Sequence, residues 1–497
     1  MATFMASTKT GNAAGKQAWG RTSMIATGNP LAAAAAQSML DLGGSAIDAA
    51  IAADAVLGVV EPMATSIGGD LLAMVVHRDG TVNSYNGTGR APEGLSASDI
   101  ASLPGRKIPE RHPLSVTTPG AVRGWHDLHA RYGRLDWHLL FAPAIRHARL
   151  GFTVGPVAAR EWAIFDHVLH SEPHCARLYK AGNTPAAGTL FANIELATVL
   201  EHIACDGVDS FYSGAVARAA SQAVQALGGV LAQEDFETHR GNFCAPVSAE
   251  FQGVVVHQCP PNTHGVAVLD ALRTFQHAEV DPTSPGAAVH LVDATAAAMR
   301  RASETVADPA GNTVCTVIVD AQGLAITLMS SIFKRFGSGI AVPGAGFVLQ
   351  NRGFGFSTPG HINGPAAGKR PYHTVVPGAA TRGGRFFLGM GVVGGLMQPQ
   401  GQLQILTRLL CAKDDLVTAV QAPRWRLEAG NALAIEAGMP AATSEALRAA
   451  GYSVPSHTAG ELAGRSDFGG AQVVVRHPDG RLQGASDIRK DGMALGR

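Results

Sequence analysis

The sequence predicts a layered α/β or α+β sandwich, and two observations support this prediction. Runs of apolar and β-branched residues, which are typical of buried strands, fall into two clusters, one before residue 312 and one after it. Helical patterns over 31–60, 120–230 and 399–450 flank these clusters. Helices grouped outside two clusters of strands indicate a sandwich with its helices on the outer faces.

Two helices are predicted near the N-terminus. The apolar pattern predicts a helix over 31–42 that ends at Gly43-Gly44, because glycine commonly follows a last helical turn. Ser45 is a suitable N-cap for a second, Ala-rich helix that extends to residue 60.

A β-hairpin and further helices complete this part of the chain. The hairpin has strands over 71–77 and 81–85, joined by a turn at Asp79-Gly80. Residues 120–230 are mainly helical in pattern. A strand at 254–257 then leads through a Pro-rich turn into a helix at 266–275.

Short strands dominate the chain from residue 313 onward. They are predicted over 314–320, 324–331, 386–390 and 472–476. Helices predicted over about 399–412, 415–421 and 443–450 alternate with them. This alternation is consistent with a sheet covered by helices.

Composition narrows the class of protein. The 497 residues are 46% hydrophobic, enough for a large core that forms either two to three domains or one large unit. Basic and acidic residues balance at 39 each, which argues against nucleic-acid and acidic-membrane partners.

The cysteines and the N-terminus suggest a cellular location. Six scattered cysteines without a CxxC pair indicate mostly buried thiols in a reducing compartment. Residues 1–23 lack a compact apolar segment, so we expect no secretory signal. The apolar stretch 47–60 is too short, and contains too many acidic residues, to cross a bilayer. We therefore expect a cytoplasmic protein.

The junction between Asn312 and Thr313 is the strongest candidate for chemistry. A polar stretch over 303–312 predicts an exposed loop, and Thr313 opens a β-branched run. If the peptide bond before Thr313 is cut, this residue carries a hydroxyl nucleophile and a free α-amine that can act as its base. Without that cut, Thr313 is an ordinary strand threonine.

Several separated motifs, in a fixed order, accompany this junction. They are Gly43 to Ala50, Val59 to Pro62, Ile67 to Asp70, Pro119 to Val122, Gly228-Gly229, Pro260-Pro261, Phe336 to Gly339, Gly368 to Pro371, Gly394-Gly395, Ala422 to Arg424 and Asp487 to Gly492. Through them the chain resembles the γ-glutamyltranspeptidase family of N-terminal-nucleophile (Ntn) hydrolases over nearly its whole length.

The resemblance implies an α+β fold, a four-layer αββα sandwich. It also implies a precursor that cuts itself between Asn312 and Thr313. Residues 1–312 would form a large subunit and 313–497 a small subunit, which together remain one αββα unit. The expected partners are a small-molecule amide substrate and the protein's own second fragment, either as one heterodimer or as a dimer of heterodimers. The resemblance calls for no cofactor and no metal.

The same resemblance assigns catalytic roles to four residues. Thr313 is the nucleophile, and Ser331 is a supporting hydroxyl beside it. Gly394 and Gly395 align with glycines whose N–H groups face the developing oxyanion. The alternatives are a routine strand serine at position 331 and a plain tight turn at the glycine pair.

Departures from the family pattern concentrate on the substrate. Thr88 occupies the position of the arginine that clamps an α-carboxylate in γ-glutamyl enzymes, and a hydroxyl cannot replace a bidentate charge pair. Arg90, two residues away, can point elsewhere. At the positions that hold the α-amino group, Phe333 replaces an Asn and Gly355 replaces an Asp.

Other positions suggest a different ligand. Arg352 replaces an amide or acid, and His373-Thr374 replaces a pair of serines. These features resemble a divergent branch that includes oxamate amidohydrolase-like enzymes. Arg352, His373, Thr374 and Thr88 are therefore the candidate substrate-binding residues. A structural ion pair is an equal alternative for Arg352.

Two further features have structural interpretations. Cys315, two residues after Thr313, is expected to be a pocket-wall residue or a buried thiol. His167, His170, His174 and Cys175 could suggest zinc, but a polar helix end and loop is the preferred interpretation.

The leading hypothesis is a self-processing amidohydrolase acting on a small, anionic amide that is not γ-glutamyl. The first rival is a true γ-glutamyltransferase or glutathione hydrolase. The second is an uncleaved, non-catalytic homologue that serves as a binding protein.

Overall fold

The computed structural model describes residues 15–278, 280–306, 312–454 and 468–497. Its helices are α1 (Pro30–Asp41), α2 (Ala46–Val60), α3 (Ala97–Ala101), α4 (Ala121–Tyr132), α5 (Ala142–Leu150), α6 (Pro156–Ile164), α7 (Asp166–Leu169), α8 (Pro173–Leu178), α9 (Ile194–Asp206), α10 (Asp209–Tyr212), α11 (Ala215–Gln225), α12 (Gln233–Thr238), α13 (Gly265–Gln276), α14 (Pro285–Thr305), α15 (Met397–Leu410), α16 (Leu416–Gln421) and α17 (Ala441–Ala449).

The strands, in chain order, are β1 (Gln17–Gly20), β2 (Met24–Thr27), β3 (Asp70–Val76), β4 (Val82–Asn86), β5 (Phe152–Thr153), β6 (Leu190–Phe191), β7 (Asn242–Cys244), β8 (Val247–Phe251), β9 (Val254–Gln258), β10 (Asn312–Val319), β11 (Ala325–Phe333), β12 (Gly378–Arg382), β13 (Arg385–Val392), β14 (Trp425–Leu427), β15 (Leu433–Ile435), β16 (Ala471–Arg476), β17 (Leu482–Ser486) and β18 (Met493–Gly496).

Two seven-stranded antiparallel sheets form the centre of the molecule. One has the strand order β1-β17-β16-β13-β12-β9-β8 and the other β18-β2-β10-β11-β3-β4-β7. Alternate residues of β3 show how the layers stack. Leu72, Met74 and Val76 belong to the apolar core between the sheets, whereas Leu71 and Val75 belong to the core beneath α1 and α2.

Helices cover the outer face of each sheet. The core under α1, α2, α4, α5 and α9 includes the outer residues of β3, β10 and β11. A second core joins α13, α14 and α15 to β9, β12, β13 and β16. The predicted α+β, four-layer αββα sandwich is therefore confirmed.

Local sequence explains why α2 begins where it does. The Ser45 hydroxyl accepts a hydrogen bond from the Asp48 N–H at 3.2 Å, and the Asp48 carboxylate accepts one from the Ser45 N–H at 2.7 Å. This reciprocal capping box satisfies two helix-end donors. All 15 residues of α2 are buried, so the Ala-rich composition lets neighbouring elements approach closely.

The predicted helices at 31–42 and 46–60 and the hairpin over 71–85 are confirmed within one or two residues. Part of the loop predicted over 303–312 is wrong, because α14 continues to Thr305. Residues 307–311 of that loop lie outside the described residues. Among the cysteines, Cys205 is exposed and Cys244 and Cys411 are partly exposed, so only half of the six thiols are buried.

Candidate active site

Thr313 lies near the start of β10, at an irregularity in the pairing with β11. Asn312 pairs with Phe333 and Val314 pairs with Ser330, so Thr313 faces both Ser331 and Ile332. Such a bulge redirects a side chain out of the regular ladder. The Thr313 residue is 2% exposed. The register therefore brings the predicted nucleophile opposite the predicted supporting serine.

Gln398, near the start of α15, contacts the Thr313 hydroxyl. Its Nε2 donates a hydrogen bond to Thr313 Oγ1 at 2.7 Å. Its Oε1 accepts a hydrogen bond from the Val376 N–H at 2.9 Å. Because the amide oxygen is occupied in this way, the amide nitrogen is oriented toward the threonine.

The predicted glycine pair lies immediately before the same helix. Gly394 and Gly395 have φ values of 111° and 62°, which favour glycine. A Cβ atom on Gly394 would lie 3.1 Å from Gly469 Cα. Val393 lines a cavity together with Thr313, and Gln398 contacts Thr313, so the chain holds both glycines close to the threonine.

Ser331 is linked to the predicted substrate-binding residues through Arg352. The Arg352 Nη2 donates to Ser331 Oγ at 3.2 Å, and its Nη1 donates to Thr374 Oγ1 at 3.3 Å. The guanidinium carbon lies 4.1 Å from the centre of the Phe333 ring. Two sets of residues predicted for different roles therefore form one cluster.

Asp70 is the anion at the centre of this cluster, and it is fully buried. One carboxylate oxygen accepts from Gly89 N at 2.8 Å and from Gln350 Nε2 at 2.7 Å. The other lies 3.2 Å from His373 Nε2 and 3.8 Å from Arg352 Nε. Burial lowers the pKa of Arg352 to about 9, and Asp70 opposes that shift, so the guanidinium stays charged at neutral pH.

His373 has a fixed tautomer. Its Nδ1 accepts a hydrogen bond from the Val375 N–H at 3.1 Å, so the proton is on Nε2 and is donated to Asp70. Burial, reinforced by the nearby Arg352, lowers the pKa of His373 to about 4. The imidazole is therefore neutral at pH 7.

Thr88 lies at the edge of this cluster. Its fully buried hydroxyl donates to Asn86 Oδ1 at 2.7 Å, while the N–H of the next residue, Gly89, donates to Asp70. Arg90 does point elsewhere, as expected: it is exposed and donates to the Gly368 carbonyl at 3.0 Å. The clamp position itself therefore carries no cationic side chain, although Arg370 Nε donates to the Thr88 carbonyl at 3.0 Å.

The cavity that Thr313 and Val393 line has a volume of about 20 Å³, enough for one water molecule. Glu61, Gln472 and Lys490 supply its polar lining. Burial raises the pKa of Glu61 to about 7, although Lys490 opposes this shift. Cys315 also lines the cavity and is buried as expected, and burial raises the pKa of its thiol far above the ordinary value.

The histidine-rich segment around α7 and α8 has ordinary local contacts. His170 Nε2 lies 3.2 Å from Asp166 Oδ2, and Arg177 Nη2 lies 2.8 Å from His174 Nδ1. Cys175 is fully buried. Within the part of the chain that the structure describes, no group of three or more His, Cys, Asp or Glu side chains is arranged to hold a metal ion.

Comparison with known proteins identifies the family. The family model described as gamma-glutamyltranspeptidase matches residues 32–315 and 307–497. The chain belongs to this family. It is accordingly an Ntn-type amide hydrolase or acyltransferase.

Curated relatives cover almost the whole chain. A glutathione hydrolase-like YwrD proenzyme from Bacillus subtilis is 30% identical over 97% of this chain and 99% of its own length. An oxamate amidohydrolase proenzyme from Klebsiella pneumoniae is 31% identical over 94% of this chain and 97% of its own. Among solved structures, a cephalosporin acylase from Bacillus halodurans has a TM-score of 0.92 at 29% identity and covers 100% of this chain and 99% of its own.

Sequence reasoning missed two central residues. Gln398 could have been noticed because glutamine recurs at every second position at the start of the helix predicted over about 399–412 and just before it. These residues are Gln398, Gln400, Gln402 and Gln404, and all four are buried. Asp70 is the first residue of the fully buried and otherwise apolar strand β3, where an acid requires a partner. No helix among the described residues is long and apolar enough to span a bilayer.

Proposed function

We propose that this protein is a self-processing amidohydrolase that uses Thr313 as its nucleophile and hydrolyses a small, anionic amide. The observation that carries this proposal is the hydrogen bond from Gln398 to the Thr313 hydroxyl, at a strand bulge opposite Ser331. A buried hydroxyl that is oriented by a donor and exposed to a water-sized cavity is arranged for nucleophilic attack. The proenzyme relatives support the same chemistry.

Self-cleavage would begin with attack of Thr313 Oγ1 on the Asn312 carbonyl carbon. The carbon–nitrogen bond breaks, the amide nitrogen takes the hydroxyl proton, and an ester joins Asn312 to the Thr313 oxygen. Water then hydrolyses the ester and leaves a carboxylate on Asn312 and a free α-amine on Thr313. The products are residues 1–312 and 313–497, held together by the pairing of β10 with β2 and of β11 with β3.

Turnover repeats the attack on a substrate amide. The α-amine accepts the hydroxyl proton and passes it to the leaving amine, while an acyl group forms an ester with Thr313. The N–H groups of Gly394 and Gly395 stabilise the oxyanion, and Ser331 supports the nucleophile. Water releases the acid and restores the threonine.

The substrate class follows from the charges near Ser331. The clamp position holds Thr88, whose hydroxyl is already bonded to Asn86, so an α-amino acid lacks its usual carboxylate partner. The Arg352 cation contacts Ser331 and Thr374, beside the neutral His373. We assign these residues to a short carboxylate-bearing amide such as oxamate. The similarity to an oxamate amidohydrolase proenzyme supports this choice.

Processing is tested on a denaturing gel and by intact mass. Wild-type protein is expected to separate into two fragments, the second beginning at Thr313. Thr313→Ala should remain one chain, whereas Thr313→Ser, which keeps the hydroxyl, should still be cut. A wild-type protein that stays full length after long incubation, or cleavage of Thr313→Ala at the same bond, would contradict self-cleavage.

Substrate choice is tested separately with the processed enzyme. Ammonia release from oxamate should exceed release of p-nitroaniline from γ-glutamyl-p-nitroanilide. Efficient turnover of the γ-glutamyl compound with none of oxamate would support the γ-glutamyl alternative and overturn the assignment of Arg352. A cephalosporin amide serves as a third arm, since a structural relative is named a cephalosporin acylase.

A further inference from the structure

A cavity of about 560 Å³ lies at one end of the sandwich, where hairpin turns of both sheets meet. We call it the arginine cleft. It is lined by Arg21, Thr22, Arg78, Arg382, Arg385, Phe386, Phe387, Arg476, residues 320–323, His477, Pro478 and Gly480. These positions belong to the turns β1–β2, β3–β4, β10–β11, β12–β13 and β16–β17 and to the strand ends next to them.

The arginine cleft is separate from the candidate active site. Thr313 lies near the start of β10, and Asp320 of the cleft follows the end of the same strand. A strand advances about 3.4 Å per residue, so Thr313 and Asp320, seven residues apart, are separated by about 24 Å.

Five arginine side chains line the cleft without partners. Among the described residues, none of Arg21, Arg78, Arg382, Arg385 and Arg476 makes a side-chain hydrogen bond or ion pair. Arg382 alone has a ring contact, with its guanidinium carbon 3.8 Å from the centre of Phe387. These five guanidinium groups concentrate positive charge around one cavity in a chain with equal numbers of acidic and basic residues.

The arginines also repel one another. Arg382 and Arg385 are direct cross-strand partners at the end of the β12–β13 hairpin, where like charges are destabilising. Burial and the nearby Arg385 lower the pKa of Arg476. The fold therefore maintains a positive potential at this point at some cost in stability.

The acidic groups of the same turns are engaged elsewhere. Asp320 accepts hydrogen bonds from the N–H groups of Ala46, Gln322 and Leu324 at 2.9–3.1 Å. Asp79 accepts from Thr81 N at 2.9 Å. Asp479 is paired with Arg481 at 2.6 Å. Asp320 also lies 3.6 Å from Arg134. Among the described residues, none of these three carboxylates forms an ion pair with the five arginines.

We propose that the arginine cleft binds a multiply charged phosphate anion, either a free oligophosphate or the phosphate chain of a nucleotide. Guanidinium groups present paired N–H donors that match phosphate oxygens. The cleft volume falls in the range of small-ligand pockets. Binding would replace arginine–arginine repulsion by ion pairs, so the ligand should stabilise the protein.

The test is titration calorimetry and thermal melting of the full chain with tripolyphosphate and with ATP, at constant ionic strength and without divalent cations. Both ligands should bind saturably and raise the melting temperature. The double variant Arg385→Gln/Arg476→Gln should bind at least ten-fold more weakly. Arg218→Gln, on the exposed side of α11 outside the cleft, is the matched control and should bind as wild type does.

A second measurement guards against simple loss of folding. Without ligand and at low salt, the double variant should melt at or above the wild-type temperature, because one source of repulsion is gone. Binding of tripolyphosphate alone supports a free oligophosphate, and equal binding of ATP supports recognition of the phosphate chain. Binding of ATP alone, an effect reproduced by NaCl at matched ionic strength, or undiminished binding by the double variant would overturn the proposal.

Discussion

Replacing Asp70 by asparagine should destabilise the protein strongly, although the two side chains have nearly the same shape. In the wild type, each carboxylate oxygen faces two donors: Gly89 N and Gln350 Nε2 on one side, His373 Nε2 and Arg352 on the other. In either orientation of the asparagine amide, its NH₂ group would face hydrogen-bond donors and would have no acceptor. His373 cannot adjust, because its Nδ1 accepts from Val375.

Two arguments give the size of the expected loss of stability. At the 3.8 Å separation of Arg352 Nε and Asp70 Oδ2, Coulomb's law with an effective dielectric constant of about 20 gives about 4 kcal/mol. Removing one partner of a buried ion pair typically lowers the free energy of unfolding by about 3–5 kcal/mol, because the remaining charge is left uncompensated. We therefore expect a loss of about 4 kcal/mol in the free energy of unfolding.

The assay is guanidinium unfolding at pH 7.5 followed by tryptophan fluorescence, in a Thr313→Ala background that keeps a single chain. Asp270→Asn is the matched control, since Asp270 pairs with Arg301 at 2.7 Å on the surface and should lose less than about 1 kcal/mol. Equal unfolding midpoints for Asp70→Asn and Asp270→Asn would refute the reasoning.

Three further predictions concern residues around Thr313. Gln398→Ala should slow both processing and amide turnover by about ten-fold, the worth of one neutral hydrogen bond, in gel and ammonia-release assays; unchanged rates would show that Gln398 does not orient the hydroxyl. Cys315→Ala should keep processing and activity, because burial raises the pKa of the thiol and disfavours the reactive thiolate. The cavity left by the smaller side chain should lower the free energy of unfolding by about 1–2 kcal/mol. A folded but inactive variant would contradict this prediction. Burial raises the pKa of Glu61 from 4.5 to about 7. Between these two pH values the folded protein keeps a proton on Glu61 that the unfolded chain has lost. The free energy of unfolding should therefore fall as the pH rises from about 4.5 to about 7. Glu61→Gln should remove up to about 3 kcal/mol of that fall in calorimetry between pH 5 and pH 8, with Lys490, Glu161 and Asp491 as the neighbouring charges; an unchanged pH profile would show that Glu61 titrates normally.

The strands and helices that could be predicted are those whose apolar pattern is local. β3, β10 and β11 are runs of β-branched and aliphatic residues, and α2 carries its own capping box. β17 was missed because Leu-Gln-Gly-Ala-Ser has no strand periodicity. It is nevertheless buried, since Gly484 lets the side chain of Met24 approach to a distance that a Cβ would forbid.

The candidate site also contains residues that a local sequence pattern predicts and residues that only the fold brings together. Thr313 and the glycine pair lie in recognisable linear motifs, and β-strand register then brings Ser331 opposite Thr313. Asp70 gained no role from the sequence because its partners, Gln350, Arg352 and His373, are about 280 to 300 residues away along the chain. Pairing an acid with donors at that separation requires the fold, since no local spacing specifies it.

The charged groups at the two ends of the β10–β11 hairpin are compensated in different ways. At the Thr313 end, Arg352 and Asp70 are fully buried and compensate each other, because an isolated buried charge is too costly to maintain. At the turn, the arginines of the cleft are mostly exposed and have no described counter-ions, so water and ligands supply the compensation. Between these two ends, β10 and β11 are almost wholly buried and are paired residue by residue from Val314 to Val319. An anion in the cleft is therefore expected to raise the stability of the sandwich while leaving the geometry around Thr313 unchanged.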